Sequence, residues 1–411
     1  MTRSDGRALA IDNWLLGDAM ALELPAIIEG LAHRLIAIGF KLDRFTISFG
    51  LLNPSLIAGG LVWRPERELE FSRYTYISRN SGMYERSPFK VANESGNWVE
   101  IDLDRTADEQ YGIVPDLKAE GLRYYIVIPM PTAMGRQMNI TVATKALEGF
   151  SEEQRSILKS IIPAVRATVE LKSLNVILRD VLAAYVGRVP AREIVNGTVH
   201  RGQTSEVRAA ILVADLRSFT SISTQLPVAA TAEVINRYYD VVVPPIEQHG
   251  GEILKFIGDA VLAIFPTGPS GDDSAVAAAL AAARAALSTE VEPFVSDGVV
   301  ANIKFGIAIH IGDAAYGNVG SGDRLDFTVI GRDVNIASRI AALCSRLGID
   351  YLVSEPVAEI GRRHGHSMLS AGAHQVRGIA QPIPVYVPDL EILHPECDDG
   401  IPQDLVLMPT G

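Results

Sequence analysis

Two aspartates form the most chemically suggestive pair in this 411-residue sequence. Asp215 closes an apolar run, Val207 to Ala214, where an unpaired carboxylate is costly, so it must cap a helix, pair with a cation side chain or bind a metal. Asp259 lies in Lys255-Phe256-Ile257-Gly258-Asp259-Ala260, between two apolar stretches. Glycine in the first place of a two-residue loop suits a type II′ hairpin, which puts Asp259 at a tip able to lie beside the first strand. Two hard oxygen donors with no histidine or cysteine nearby suit magnesium or manganese held together with phosphates, rather than zinc. After Asp215, the run Leu216, Arg217, Ser218, Phe219, Thr220 leads toward a helix, where free backbone amides can face a triphosphate. Farther along, Asn335 and Arg339 sit one turn apart, beside a core stripe of Ile336, Ile340, Leu343 and Leu347. An amide and a guanidinium so placed suit a ribose and a pentavalent phosphate; the plainer alternative is a solvated face with an internal hydrogen bond.

The elements that must position these residues are readable from Val207 onward. The pattern is strand, helix (Pro227 to His249, stopped by Gly250), hairpin (Glu252 to Ile257 and Ala260 to Phe265), helix (Ser274 to Leu287), strands Ile303 to Ile311 and Phe327 to Ile330, and helix Asp333 to Leu347 closed by Gly348. Pro244 and Pro245 are expected to distort the last turns of their helix. An α+β sheet with helices on one face is expected. His310, between apolar strand residues, reads as a structural histidine, and Cys344 as a small core residue.

Taken together, Ala214 to Thr220, Lys255 to Ala260 and Phe327 to Arg339 (FTVIGRDVNIASR) resemble the motifs of the class III nucleotidyl cyclases, the adenylate and guanylate cyclases, over about Val207 to Val387. The resemblance implies a ferredoxin-like catalytic domain that works as a homodimer with sites at the interface. It implies that Asp215, Leu216 and Asp259 hold two Mg²⁺ or Mn²⁺ ions, with Phe219 and Thr220 near the substrate. It further implies that Lys255 and Thr328 meet the purine, and that Asn335 and Arg339 serve the ribose and transition state, these four coming from the other subunit. Arg377 stands where relatives carry a lysine for the terminal phosphate, and Ser218 where they usually carry glycine. Lysine only donates, so Lys255 can satisfy adenine N1, whereas guanine N1 carries a hydrogen. ATP is therefore the expected substrate and cyclic AMP with pyrophosphate the expected products. The alternatives are a guanylate cyclase, or a module that keeps the fold and nucleotide affinity but turns over poorly.

The rest of the chain reads differently. Up to about Phe150, helices before Gly39 precede strands at Arg44 to Leu52, Leu56 to Trp63, Tyr124 to Met130 and Met138 to Thr144, with a polar irregular middle. This outline is similar to a GAF-type sensor, implying a small molecule or other signal as its partner; Trp63, Trp98, Tyr124 and Tyr125 could line an organic-ligand pocket or simply pack. With no cysteine there and His33 as the single histidine, a bilin or haem is not expected. Ser151 and Gln154 form a capping box that opens a long helix, kinked at Pro163 and ended by Gly187 and Pro190. Leu171, Leu174, Leu178, Val181 and Tyr185 make a stripe on it, fit for a second chain or for docking on its own domain. The expected organisation is a sensor domain at 1–150, a helical linker at 151–203, a catalytic domain at 204–388 and a tail at 389–411.

A net charge of −12 gives no footprint for nucleic acid or anionic lipid. No stretch reaches the roughly 20 apolar residues of a membrane span, and the start lacks a secretory core, so a cytoplasmic protein is expected. Two cysteines cannot make a disulfide framework.

Overall fold

The structure is a computed structural model and describes residues 3–52, 56–75, 82–296, 298–322 and 324–388; the expected tail lies outside them. The chain divides into two units between Ala184 and Tyr185.

In the first unit, strands β1 (Arg44–Gly50), β2 (Leu56–Trp63), β3 (Glu70–Thr75), β4 (Val99–Asp102), β5 (Tyr124–Pro129) and β6 (Met138–Thr144) form an antiparallel sheet of order β3-β2-β1-β6-β5-β4. Strand alternation sends Phe45, Ile47, Phe49, Ile140 and Val142 into one core with helices α1 (Arg3–Leu16) and α2 (Leu24–Ala37). Trp63 joins that core, with His33 edge-on to its ring at 5.7 Å, whereas Tyr125 belongs to a separate core on α3 (Pro88–Ser95) and α4 (Val114–Ala119). The aromatic residues thus do not gather into one pocket. Strands β3 and β4 and helices α3 and α4 occupy the stretch read as irregular.

Helix α5 (Glu152–Val186) opens on the capping box: the Ser151 amide donates to Gln154 Oε1 at 2.8 Å and the Gln154 amide to Ser151 Oγ at 3.2 Å. It runs through Pro163 as one helix and buries Ile157, Ile161, Val165 and Val169 in the first unit's core. Of the expected stripe, Val181 packs against that core, while Leu171, Leu178 and Tyr185 stay exposed.

The second unit begins with the short helix α6 (Arg188–Val195). Its large sheet has the order β15-β16-β14-β12-β7-β9-β8, with β13 on β12. The strands are β7 (Thr204–Leu216), β8 (Glu252–Ile257), β9 (Ala260–Pro266), β12 (Phe305–Ser321), β13 (Arg324–Ile330), β14 (Tyr351–Ser354), β15 (Met368–His374) and β16 (Ile383–Pro388); β10 (Phe294–Ser296) and β11 (Val299–Ala301) make a separate hairpin. Helices cover both faces, not one. Strand β7 is apolar at successive positions: Ala210, Leu212 and Ala214 face α8 (Val228–Gln248), α9 (Gly271–Leu287) and α11 (Glu355–Arg363), while Ala209, Ile211 and Val213 face α10 (Arg332–Leu347). A central strand without a polar face has to be covered twice. Helix α8 is continuous through Pro244 and Pro245, and Gly250 and Gly348 leave α8 and α10 at φ 81° and 71°.

Candidate active site

Asp215 sits near the end of β7, paired in register with Ala260 of β9 and Gly306 of β12. The β8–β9 hairpin turns at Gly258, with φ 64°, and Asp259 keeps a negative φ, as a type II′ turn requires. Two contacts hold the tip: the Leu216 amide donates to the Asp259 carbonyl at 3.3 Å, and the Tyr239 hydroxyl donates to the Gly258 carbonyl at 2.8 Å. Tyr239 also lies against the Phe256 ring at 4.2 Å. The two aspartates are thereby brought to one end of the sheet. Burial, and then the charge of Asp259, push the Asp215 carboxyl up to about 6, against a smaller opposing effect from Arg217. Arg217 is committed elsewhere, its guanidinium 2.6 Å from Asp350 and its amide donating to the Lys304 carbonyl at 2.7 Å.

A divalent cation would relieve the half-buried Asp215 carboxylate beside Asp259, and the donors there are hard oxygens. Among the described residues no cluster of three or more histidine, cysteine or acidic side chains stands ready to enclose a metal. Two carboxylates and the Leu216 carbonyl leave coordination positions for phosphate oxygens, so the donor set fits Mg²⁺ or Mn²⁺ bound jointly with a nucleotide.

Ser218 precedes α7 (Phe219–Gln225) with φ 57° and ψ 23°, a left-handed conformation. The turn that glycine would make easily is thus kept by a serine, with a strain of about 1 kcal/mol. Phe219 packs partly against the core and Thr220 is exposed.

Lys255 pairs with Asp326, and the two line an open cleft of about 640 Å³ with Phe256, Val319, Gly320, Ser321, Arg324 and Leu325. Thr328, two residues beyond Asp326 on β13, is buried and in register with Gly317. The spacing puts Asp326 and Thr328 on one face of β13. Asp326 was not among the residues singled out from the sequence; its position two places from Thr328 was the available signal.

Asn335 and Arg339 project from the outer side of α10, both exposed, above the buried Ala337, Ile340, Ala341 and Cys344. The charges acting on the Asp215 carboxyl are those of Asp259 and Arg217, and Arg339 is not among them. Cys344 meets β12 at Gly306, the residue beside Asp215. Asn335 is nine residues earlier, about 14 Å along the helix at 1.5 Å per residue. Arg377 is exposed between β15 and β16, at the opposite edge of the sheet from β8. Exposed apolar residues, Phe256, Ile257 and Ile330, accompany these separated groups.

Comparison with known proteins specifies the family of the domain that carries these paired acids. The family model for the adenylate and guanylate cyclase catalytic domain matches residues 202–387. An adenylate cyclase of Anabaena cylindrica is 34% identical over 188 residues, covering 45% of this chain and 37% of its own length. An uncharacterized protein of Mycobacterium tuberculosis is 32% identical over 215 residues, 50% of this chain and 37% of the relative. The chain thus spans little more than a third of the length of these curated relatives. Among solved structures, the adenylyl cyclase CyaB from P. aeruginosa aligns with 24% identity and a TM-score of 0.39, over 45% of this chain and 95% of that one. Residues 202–387 are a class III nucleotidyl cyclase catalytic domain. Among the described residues, no helix is long and apolar enough to cross a membrane.

Proposed function

We propose that the chain is an adenylate cyclase, closing ATP to 3′,5′-cyclic AMP with release of pyrophosphate at sites shared by two copies. The observation that carries this reading is the division of the motif residues: Asp215 and Asp259 meet at one end of the sheet, while Asn335 stands about 14 Å away along α10. Each chain then offers two half-sites, and the exposed Phe256, Ile257 and Ile330 supply apolar surface for joining them.

Asp215, Asp259 and the Leu216 carbonyl hold the divalent ions, with the start of α7, at Phe219 and Thr220, beside the phosphates. Bound there, such ions lower the pKa of the ribose 3′-hydroxyl and neutralise phosphate charge. From the second copy, Asn335 orients the ribose so that its 3′ oxygen can attack the α-phosphorus, and Arg339 stabilises the charge that develops as pyrophosphate leaves. Arg377 offers a bidentate grip on the terminal phosphate. Lys255 donates to adenine N1, with Thr328 beside the base.

Asp326 supports a second reading. Beside Lys255 it places an acceptor next to a donor, which matches the amino group and N1 of adenine but also the N1–H and O6 of guanine. GTP is the alternative substrate on that account. The first unit and α5 are proposed to sense a signal and set how the two catalytic domains meet, within a cytoplasmic homodimer. The test is product formation by the purified chain from ATP or GTP with Mn²⁺, repeated with Asp215→Ala. Cyclic AMP from the parent and loss of at least about a hundredfold in the variant are expected; equal product from both removes the metal assignment.

A further inference from the structure

We infer that His310 is a positioning residue for the catalytic helix, fixing where α10 sits along the sheet by bridging Asp333 in its first turn to Ser354. This rests on the cyclase reading for the roles of Asn335 and Arg339, though not for the contacts themselves.

The apolar underside of α10 is mixed: Ile340 and Leu343 are large and buried, but Ala337, Ala341 and Cys344 among them are small, and small side chains resist sliding along a sheet less than large ones. Directional polar contacts at the first turn fix what the apolar ones leave free. Asp333 Oδ2 accepts the Asp313 amide at 2.8 Å. Its Oδ1 lies 3.6 Å from His310 Nε2, an electrostatic contact reached across the buried face of β12. On its other side, His310 Nδ1 is 2.8 Å from the hydroxyl of Ser354, which is 1% exposed and leads into α11.

One arrangement of the protons suits all three groups. A carboxylate only accepts, so the tautomer with its hydrogen on Nε2 turns a donor toward Asp333 and leaves Nδ1 to accept from the Ser354 hydroxyl. Gly312 belongs to the same device: a Cβ there would lie 2.2 Å from Asp333 Oδ2, so only glycine lets the carboxylate come this close. Arg208 and Arg332 are the other charges acting on His310, and Arg208 is already paired with Asp272 and Asp313. A serine, histidine and aspartate in line suggest a hydrolytic triad, but the buried Ser354 leaves a substrate no approach. The line leads instead from the sheet to the helix that carries Asn335 and Arg339. Among the described residues neither of those side chains makes a hydrogen bond or ion pair, so the seat of the helix alone aims them. A misplacement of about 1 Å costs on the order of a hundredfold in rate.

The variants are His310→Asn, which keeps reach to Ser354 but not to Asp333, His310→Gln, which restores reach to Asp333, and Asp333→Asn as a second probe should His310→Asn fail to fold. Hydrogen exchange on the full chain reads the position directly, without catalysis: His310→Asn should speed exchange at residues 334–339 by about tenfold or more and leave residues 209–216 unchanged, with His310→Gln intermediate. In the cyclase assay, kcat should fall at least about tenfold with the half-saturating Mn²⁺ unmoved. Mixed with Asp215→Ala, His310→Asn should regain activity; mixed with Asn335→Ala, it should not. Unchanged exchange at 334–339, or rescue by Asn335→Ala in place of Asp215→Ala, overturns the inference. A parent chain that makes no cyclic product removes the cyclase reading instead, and the exchange result then decides the inference by itself.

Discussion

Asp215→Asn should stabilise the catalytic unit while abolishing its activity. In the folded chain without bound cations the Asp215 carboxyl titrates at about 6, against 3.8 for the unperturbed group, because it is partly buried and faces Asp259. A difference of roughly 2 units is worth about 3 kcal/mol, and partial exposure reduces this to about 1–2 kcal/mol. The sign follows from proton linkage: a carboxyl whose pKa is raised on folding is a liability once ionised, so stability falls as pH rises from about 4 through about 6. Asparagine removes that liability. At pH 7.5 in EDTA the variant should unfold about 2–8 °C higher than the parent, and the gap should close as the pH is brought to 4. Mn²⁺ should then raise the parent's midpoint and leave the variant's unmoved. The assay is thermal unfolding of the full chain followed in the second unit, because two units need not unfold in one step. A variant no more stable than the parent at pH 7.5, or a gap that persists at pH 4, would refute the claim that burial beside Asp259 raises the Asp215 carboxyl.

Two further outcomes are expected. Ser218→Gly should relieve the left-handed strain at φ 57° and raise stability by about 0.5–1 kcal/mol, measured by urea unfolding, with activity retained. Asp326→Ala should lower kcat/KM by about tenfold or more for whichever of ATP and GTP uses the carboxylate as acceptor, shifting the ratio between them; an unmoved ratio means that Asp326 does not touch the base.

Local chemistry accounts for what was legible in the sequence. The Ser151–Gln154 capping box and the Gly258–Asp259 hairpin are set within a few residues, and both have the geometry their residue types demand. The strands at Leu56–Trp63 and Met138–Thr144 have the bounds that their apolar runs suggest. Less was visible where partners are remote. The segment carrying α3, β4 and α4 is polar enough to pass for irregular, because its few core residues, such as Ala92, Ile101 and Leu117, find each other only through the sheet. Trp63 and Tyr125 both sit in good strands, yet the side each faces depends on strand order, and they enter different cores. The unbroken apolar run Ala209 to Ala214 is itself the sign that both faces of the catalytic sheet need a cover, and the expectation of helices on one face passed over it. At the site, the acid pair could be read from spacing, and Asp326 had a local signal only in its place two residues from Thr328; its pairing with Lys255, like that of His310 with Asp333, is long-range and not displayed by local pattern.

The central claim is that one copy supplies the acids and the other the ribose and transition-state groups. Its most direct measurement mixes two inactive chains, Asp215→Ala and Asn335→Ala, with subunit exchange verified, and assays cyclic AMP from ATP and Mn²⁺. The mixed dimer holds one site with all its parts, so activity should return to about a quarter of the parent's, half of the dimers being mixed and each having one working site of two. A mixture as inactive as its components, with exchange proven, would contradict the account.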